Sequence, residues 1–421
     1  MKKFLLIGLA LIAMTIPWDG QGADLGFISL TPSNFLLLIT LFGFCLWIYM
    51  RKKIPRIPPW LVFAWGMYIF TSIWKIGMLS SPEPRILFTL IGAFLLYISL
   101  VTLIRNENDL KYITIGYGIG ACIQVAFALV QIFGFYYLGV SWRILQYTPT
   151  GGDTLLVRAM GTQFDPNFYG IYLLPILGIA GAMIFEAASR RARLGSLLLF
   201  LFMLAGVFVS FSRTAMIMSI FIVLVLFFSF LSRRIRIPSN IIKVTMVSAF
   251  ISVFFALAFL PILPVEGLGF VGRLIQLNAP SVYARYVTFE EALNEWSKAP
   301  LFGHGFTKVT ARLADYYTHN IFLLIMLRSG LVGLISFIFI FGFAFFIATK
   351  RLLKCQNFSW FTRAMIKGYV VGLYAMILTF LSFGFEGHKM IWLVCGITTA
   401  IGLNLKNTKM SYEQNKNSFS I

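Results

Sequence analysis

The sequence predicts an all-α polytopic membrane protein, and three observations carry that prediction. Of its 421 residues, 59% are hydrophobic and only 12% charged, far from the averages of globular domains. Apolar runs close to the roughly 20 residues needed to cross hydrocarbon recur along almost the whole chain. The basic residues fall in short blocks between those runs, so the net charge of +20 reads as a topology signal and not as a surface for nucleic acid.

The first run, opening on Met1-Lys2-Lys3-Phe4, resembles a signal peptide. A cleavage after Ala23 would put Gln21, which is not small, at position −3, so an uncleaved first helix is expected. Further runs lie at about 34–50, 59–78, 86–104, 112–137, 167–186, 195–211, 213–231, 242–262, 319–349, 365–384 and 389–404, which makes about 12 spans. With both termini inside, the cytoplasmic loops receive Arg51-Lys52-Lys53, Arg190-Arg191, Arg233-Arg234, Lys350-Arg351 and their neighbours, about 23 of the 35 basic residues. Residues 1–262 then carry spans one to nine, 263–318 form a large extracytoplasmic loop, 319–404 carry spans ten to twelve, and 405–421 are a cytoplasmic tail expected to be disordered, all within one integral membrane domain. Cys45, Cys122 and Cys395 fall in predicted spans and Cys355 in a cytoplasmic loop, none with metal-ligand spacing, so no disulfide or zinc site is expected.

The large loop holds the longest polar interval of the chain. Within it Val282, Tyr286, Phe289, Leu293 and Trp296 recur every three or four residues, the pattern of an amphipathic helix on the membrane surface. The apolar run beginning at His319 is too long for one ordinary span, about 46 Å against a core of about 30 Å. Gly330 and Gly333 are natural places for it to bend, with the first half tilted near the outer surface so that Arg328 is spared exposure to lipid.

Ionisable residues near hydrocarbon are functional candidates by default. Arg213 stands between two apolar runs joined by almost no loop, although a snorkelling arginine would look the same. Arg285 flanks the apolar stripe of the loop helix, where a headgroup anchor is the plainer account. His319, next to Asn320, stands at the mouth of a span with a side chain able to act as a base near neutral pH, or simply to cap the helix. His304 between Gly303 and Gly305 reads as a turn residue, and His388 as structural. Arg158 and the Asp165-Pro166-Asn167 segment precede another span, where Asp165 capping and Pro166 in the first turn suffice to explain the segment.

There is no Walker loop, no dinucleotide glycine pattern and no paired-aspartate motif, so ATP, NAD and nucleotide sugars are poor candidates and no cofactor is expected. Arginines with a histidine suit an anionic diphosphate leaving group, because the planar guanidinium fork matches phosphate oxygens.

The Phe211-Ser212-Arg213-Thr214 turn, the loop with Arg285, Trp296 and the segment 300–305, and Thr318-His319-Asn320 leading to Gly330 and Gly333 together resemble the O-antigen ligase family. That family also takes in many O-antigen and exopolysaccharide polymerases and protein O-oligosaccharyltransferases. Residues 158–333 carry the resemblance, and the flanks match only in hydropathy. It implies a polyprenyl-diphosphate-linked glycan as donor, a hydroxyl acceptor such as lipid A core or another glycan, and transfer without metal or nucleotide at the outer face of the bacterial inner membrane. It matches Arg213 and Arg285 to the two arginines on the diphosphate and His319 to the base. Substrate contacts are expected from Arg158, Asp165, Asn167, Asn320 and Trp296. The order of events would be lateral arrival of the lipid donor, attack of the acceptor hydroxyl on the anomeric carbon, and inversion there. A polymerase with the same donor chemistry is the alternative, and a lipid-linked oligosaccharide transporter a second, which the clustering of ionisable groups at one surface disfavours.

Overall fold

The computed structural model describes residues 1–20, 23–24, 29–52, 57–74, 84–140, 145–149, 155–235, 280–305, 320–381 and 388–405. Its helices are α1 (Lys2–Thr15), α2 (Pro32–Arg51), α3 (Pro59–Ile73), α4 (Pro84–Leu103), α5 (Glu107–Leu138), α6 (Pro166–Glu186), α7 (Arg190–Val209), α8 (Arg213–Ile235), α9 (Pro280–Ser297), α10 (Ile321–Leu353), α11 (Trp360–Thr379) and α12 (Lys389–Asn404). Two small antiparallel ribbons interrupt them, β1 (Ala23–Asp24) with β2 (Ser29–Leu30), and β3 (Leu145–Pro149) with β4 (Leu155–Ala159).

Among the described residues seven helices, α2, α5, α6, α7, α8, α10 and α11, are long and apolar enough to cross a membrane, the α8 stretch ending at Leu231. Shorter apolar helices coincide with the spans expected at 59–78, 86–104 and 389–404. The span expected at 242–262 and the tail after residue 405 lie outside the described residues. Residues 281–296, read as an amphipathic helix, fall within α9.

The bundle is built around α6 and α11, each 83% buried in its membrane window, whereas α7 at 22% lies on the periphery. Hydrocarbon tails are as apolar as leucine, so helices in a bilayer associate by close packing and not by hiding apolar surface. Small residues provide it here. A Cβ on Gly178 would meet the carbonyl oxygen of Gly368 at 2.9 Å, so α6 and α11 touch backbone to backbone. A second centre is aromatic: Trp65 of α3 lies 4.3 Å from Trp392 of α12, and Phe341 of α10 lies 5.2 Å from Trp392, between ring centroids. The first helix is integral to this packing, with Leu5, Leu9 and Ile12 fully buried and Tyr172 donating to the Ala13 carbonyl.

The two ends of the bundle differ in chemistry. One end carries ion pairs: Lys2 with Asp109 at 2.7 Å, Arg363 Nε with Glu186 at 2.6 Å, and Lys367 with the other Glu186 oxygen. Glu186 and Lys367 are both buried. Removing one partner of such a set leaves an uncompensated charge, at a cost of about 3–5 kcal/mol. Glu186→Ala is therefore expected to lower the thermal unfolding midpoint in detergent markedly, with the loss partly recovered when Lys367→Met is added. An unchanged midpoint would mean that water reaches the triad.

The expected bend in α10 falls at Gly330, whose φ of 63° and ψ of −164° are outside the helical range. That break separates the Leu331 and Val332 amides from the carbonyls of Leu327 and Arg328, their normal helical partners four residues back. Residues 300–305, just after α9, fill the gap. His304 N–H donates to Leu327 O at 2.9 Å and Gly305 N–H to Arg328 O at 2.7 Å, while Leu331 N–H donates to Pro300 O at 2.9 Å and Val332 N–H to Leu301 O at 3.1 Å. All four backbone groups freed by the kink are satisfied, which matters because an unpaired group in a membrane setting costs several kcal/mol. Only glycine fits at the crossing: a Cβ at Gly303 would lie 2.4 Å from Arg328 O, and one at Gly330 2.3 Å from Leu301 O.

Candidate functional site

At the end of the bundle opposite the ion pairs, β4, the start of α6 and the α7–α8 turn meet at one side chain, Asn167. Pro166 occupies the first turn of α6, and Asp165 caps it by accepting from Asn167 N–H at 2.6 Å and Phe168 N–H at 3.4 Å. The Asn167 side-chain oxygen accepts from Arg158 Nη2 at 3.1 Å and from the Ser212 hydroxyl at 2.9 Å. Arg158 Nε donates in addition to Ser210 O at 3.0 Å. Ser212 Oγ also accepts from Ala215 N–H at 3.4 Å, so one hydroxyl caps α8 and ties it to α6.

Arg213 is the first residue of α8 and is half-buried. It follows a turn only three residues long, in which Phe211 takes a left-handed φ of 46°. A phenylalanine in that region is uncommon, and such strain clusters where a local geometry is functionally required. Burial draws the Arg158 pKa below its ordinary value, Asp165 opposes that and Arg213 adds to it. Arg158 thus lies within electrostatic reach of a second guanidinium and of one carboxylate, in a poorly solvated place, among the described residues. Arg213 also stands at a helix N-terminus, where the backbone already favours an anion.

The loop leading into α6 is held from below by two residues the sequence analysis passed over. Gln131 exchanges two hydrogen bonds with Gly161, at 2.8 and 3.1 Å, and Gln124 exchanges two with Thr162, both at 2.8 Å. Both glutamines are fully buried. The signal was present: two amides seven residues apart lie on one face of an otherwise apolar span, and polar groups within a membrane helix seek partners there. Beside them the Gln163 amide is buried and makes no hydrogen bond among the described residues.

The other predicted residues take these places. Asn320 caps α10, its side chain accepting from Phe322 N–H at 3.0 Å and Leu323 N–H at 3.1 Å. The start of α10 is fixed to the end of α11 by Ile321 N–H donating to Phe380 O at 2.9 Å. Trp296 closes the last turn of α9 by donating to Pro300 O at 3.2 Å. Arg285 lies on α9, but its side chain lies outside the described residues, as does all of His319. The geometry therefore brings together Arg158, Asp165, Asn167 and Arg213. His388 caps α12 and stacks on Phe168, with ring centroids 4.8 Å apart, so it packs beside this cluster.

The family model described as O-antigen ligase matches residues 198–338, from α7 through the first part of α10. Over that region, about a third of its length, the chain is similar to the O-antigen ligase family. The matched region contains Arg213, Arg285, Trp296, His319, Asn320 and the Gly303–Gly330 crossing, while Arg158, Asp165 and Asn167 precede it. No match was found among curated proteins.

Proposed function

We propose that this protein, similar over residues 198–338 to the O-antigen ligase family, transfers a glycan from a polyprenyl-diphosphate carrier to a hydroxyl acceptor at the outer face of the bacterial inner membrane, with lipid A core as the acceptor. The observation that supports this reading best is Arg158 within electrostatic reach of both Arg213 and Asp165, at one end of an apolar bundle. Such a place suits a lipid headgroup carrying more than one negative charge.

In this reading Arg213 and Arg285 hold the diphosphate, with Arg158 stiffening the turn that presents Arg213. His319 takes the proton of the acceptor hydroxyl as that oxygen attacks the anomeric carbon from the face opposite the leaving group. The bond from that carbon to the phosphate oxygen breaks, its electron pair leaves with the polyprenyl diphosphate, and the anomeric carbon is inverted. The arginines act where charge develops on the leaving group, the kind of interaction that lowers a barrier instead of merely tightening binding.

A polymerase would use the same donor end and differ only in the acceptor, so the acceptor is the thing to vary. Full-length protein in lipid vesicles, given a polyprenyl-diphosphate glycan and lipid A core, is expected to yield one transferred chain per acceptor. A ladder of lengthening chains formed from the donor alone would make it a polymerase. Turnover of neither mixture, with donor found to cross the bilayer, would replace transfer by transport.

A further inference from the structure

The crossing of residues 300–305 with the broken α10 has a side-chain member. His304 Nε2 lies 2.7 Å from the carbonyl oxygen of Glu295, in the last turn of α9. A carbonyl only accepts, so this nitrogen carries a hydrogen and is the donor. The backbone N–H of the same residue donates to Leu327 in α10. One residue therefore joins the end of α9 to the break in α10. Trp74, after α3, braces the crossing from the other side by donating from Nε1 to Phe302 O at 2.9 Å.

We infer that His304 is a positioning residue that sets the direction of α9, and through it the place of Arg285, by donating from Nε2 and without moving a proton. The inference rests on the proposed role of Arg285 on the donor diphosphate. Arg285 precedes Trp296 by 11 positions on α9, roughly 16 Å at the helical rise. Over that lever a tilt of about 5° carries the Arg285 backbone more than about 1 Å, and misplacement of that size can cost up to about a hundredfold in rate.

The test compares His304→Gln, whose amide nitrogen can stand where Nε2 stands, with His304→Ala in the full chain in phosphatidylethanolamine–phosphatidylglycerol vesicles. Two readouts are taken. The first is the distance distribution between spin labels placed at exposed Glu291 on α9 and exposed Tyr137 at the end of α5, in a background with the native cysteines replaced. The second is transfer of a polyprenyl-diphosphate glycan as a function of donor concentration and pH. The inference expects His304→Ala to broaden or shift the distances and lower transfer at least about tenfold, largely through the apparent KM for donor. His304→Gln should restore both and leave the pH profile unchanged. Unchanged distances in His304→Ala overturn it, whatever the activity. Altered distances with undiminished transfer also overturn it, because α9 placement would then not matter. A His304→Gln variant that keeps the distances but loses transfer assigns His304 to proton transfer instead. If the wild type transfers nothing, the proposed function fails, and with it the link from α9 placement to transfer, while the distance readout still decides whether His304 holds α9.

Discussion

Replacing Arg213 with alanine is expected to lower glycan transfer by about two to three orders of magnitude while the protein still inserts and folds. The loss follows from what Arg213 does in the proposed reaction: it offers charge-assisted donors to a leaving diphosphate in a place where water competes poorly. The fold should tolerate the change, because the α8 cap is supplied by Ser212 and the link to α6 by Asn167, neither of which needs the arginine side chain. Arg213→Lys keeps the charge and loses the planar fork, so it should recover only part of the rate. Initial rates in vesicles with matched protein amounts decide the matter. Native rates in both variants would remove Arg213 from the reaction.

His319→Ala should be as severe, because a positioned general base is worth about 10²–10⁴ in rate. The loss is expected in kcat with donor binding preserved, which separates a base from a residue that only shapes the loop. Asn320 next to it caps α10 through its own side chain, so removing the imidazole leaves the helix start intact. Substantial turnover by a properly inserted His319→Ala protein would take histidine out of the mechanism. The contrast with His304 is informative in itself. That imidazole has one nitrogen committed to a carbonyl, and glutamine should replace it, whereas no amide can replace a base.

The sequence by itself determined the all-α membrane class, because hydrophobic runs of membrane length and the distribution of charge between them are properties of the chain read one residue at a time. It also determined features that depend on only a few neighbouring residues. These include the tight turn before Arg213, the Asp165 cap with Pro166 behind it, the helix ending near Trp296, and the break at Gly330. Each follows from local backbone preference or from helical period.

Tertiary structure alone decided which of these features meet. Asn167 receives Arg158 from a ribbon and Ser212 from a turn 45 residues later. Glu186 finds Lys367 across 181 positions, and the carbonyls freed at Gly330 are met by residues 300–305. The physical reason lies in the solvent. In water, polarity marks the outward face of a helix and so encodes its rotation. In a bilayer the lipid-facing and protein-facing sides are both apolar, and what distinguishes them is the fit of small residues and the few polar groups that must find partners. Helix rotation, and with it the company each polar side chain keeps, is fixed only when the bundle packs.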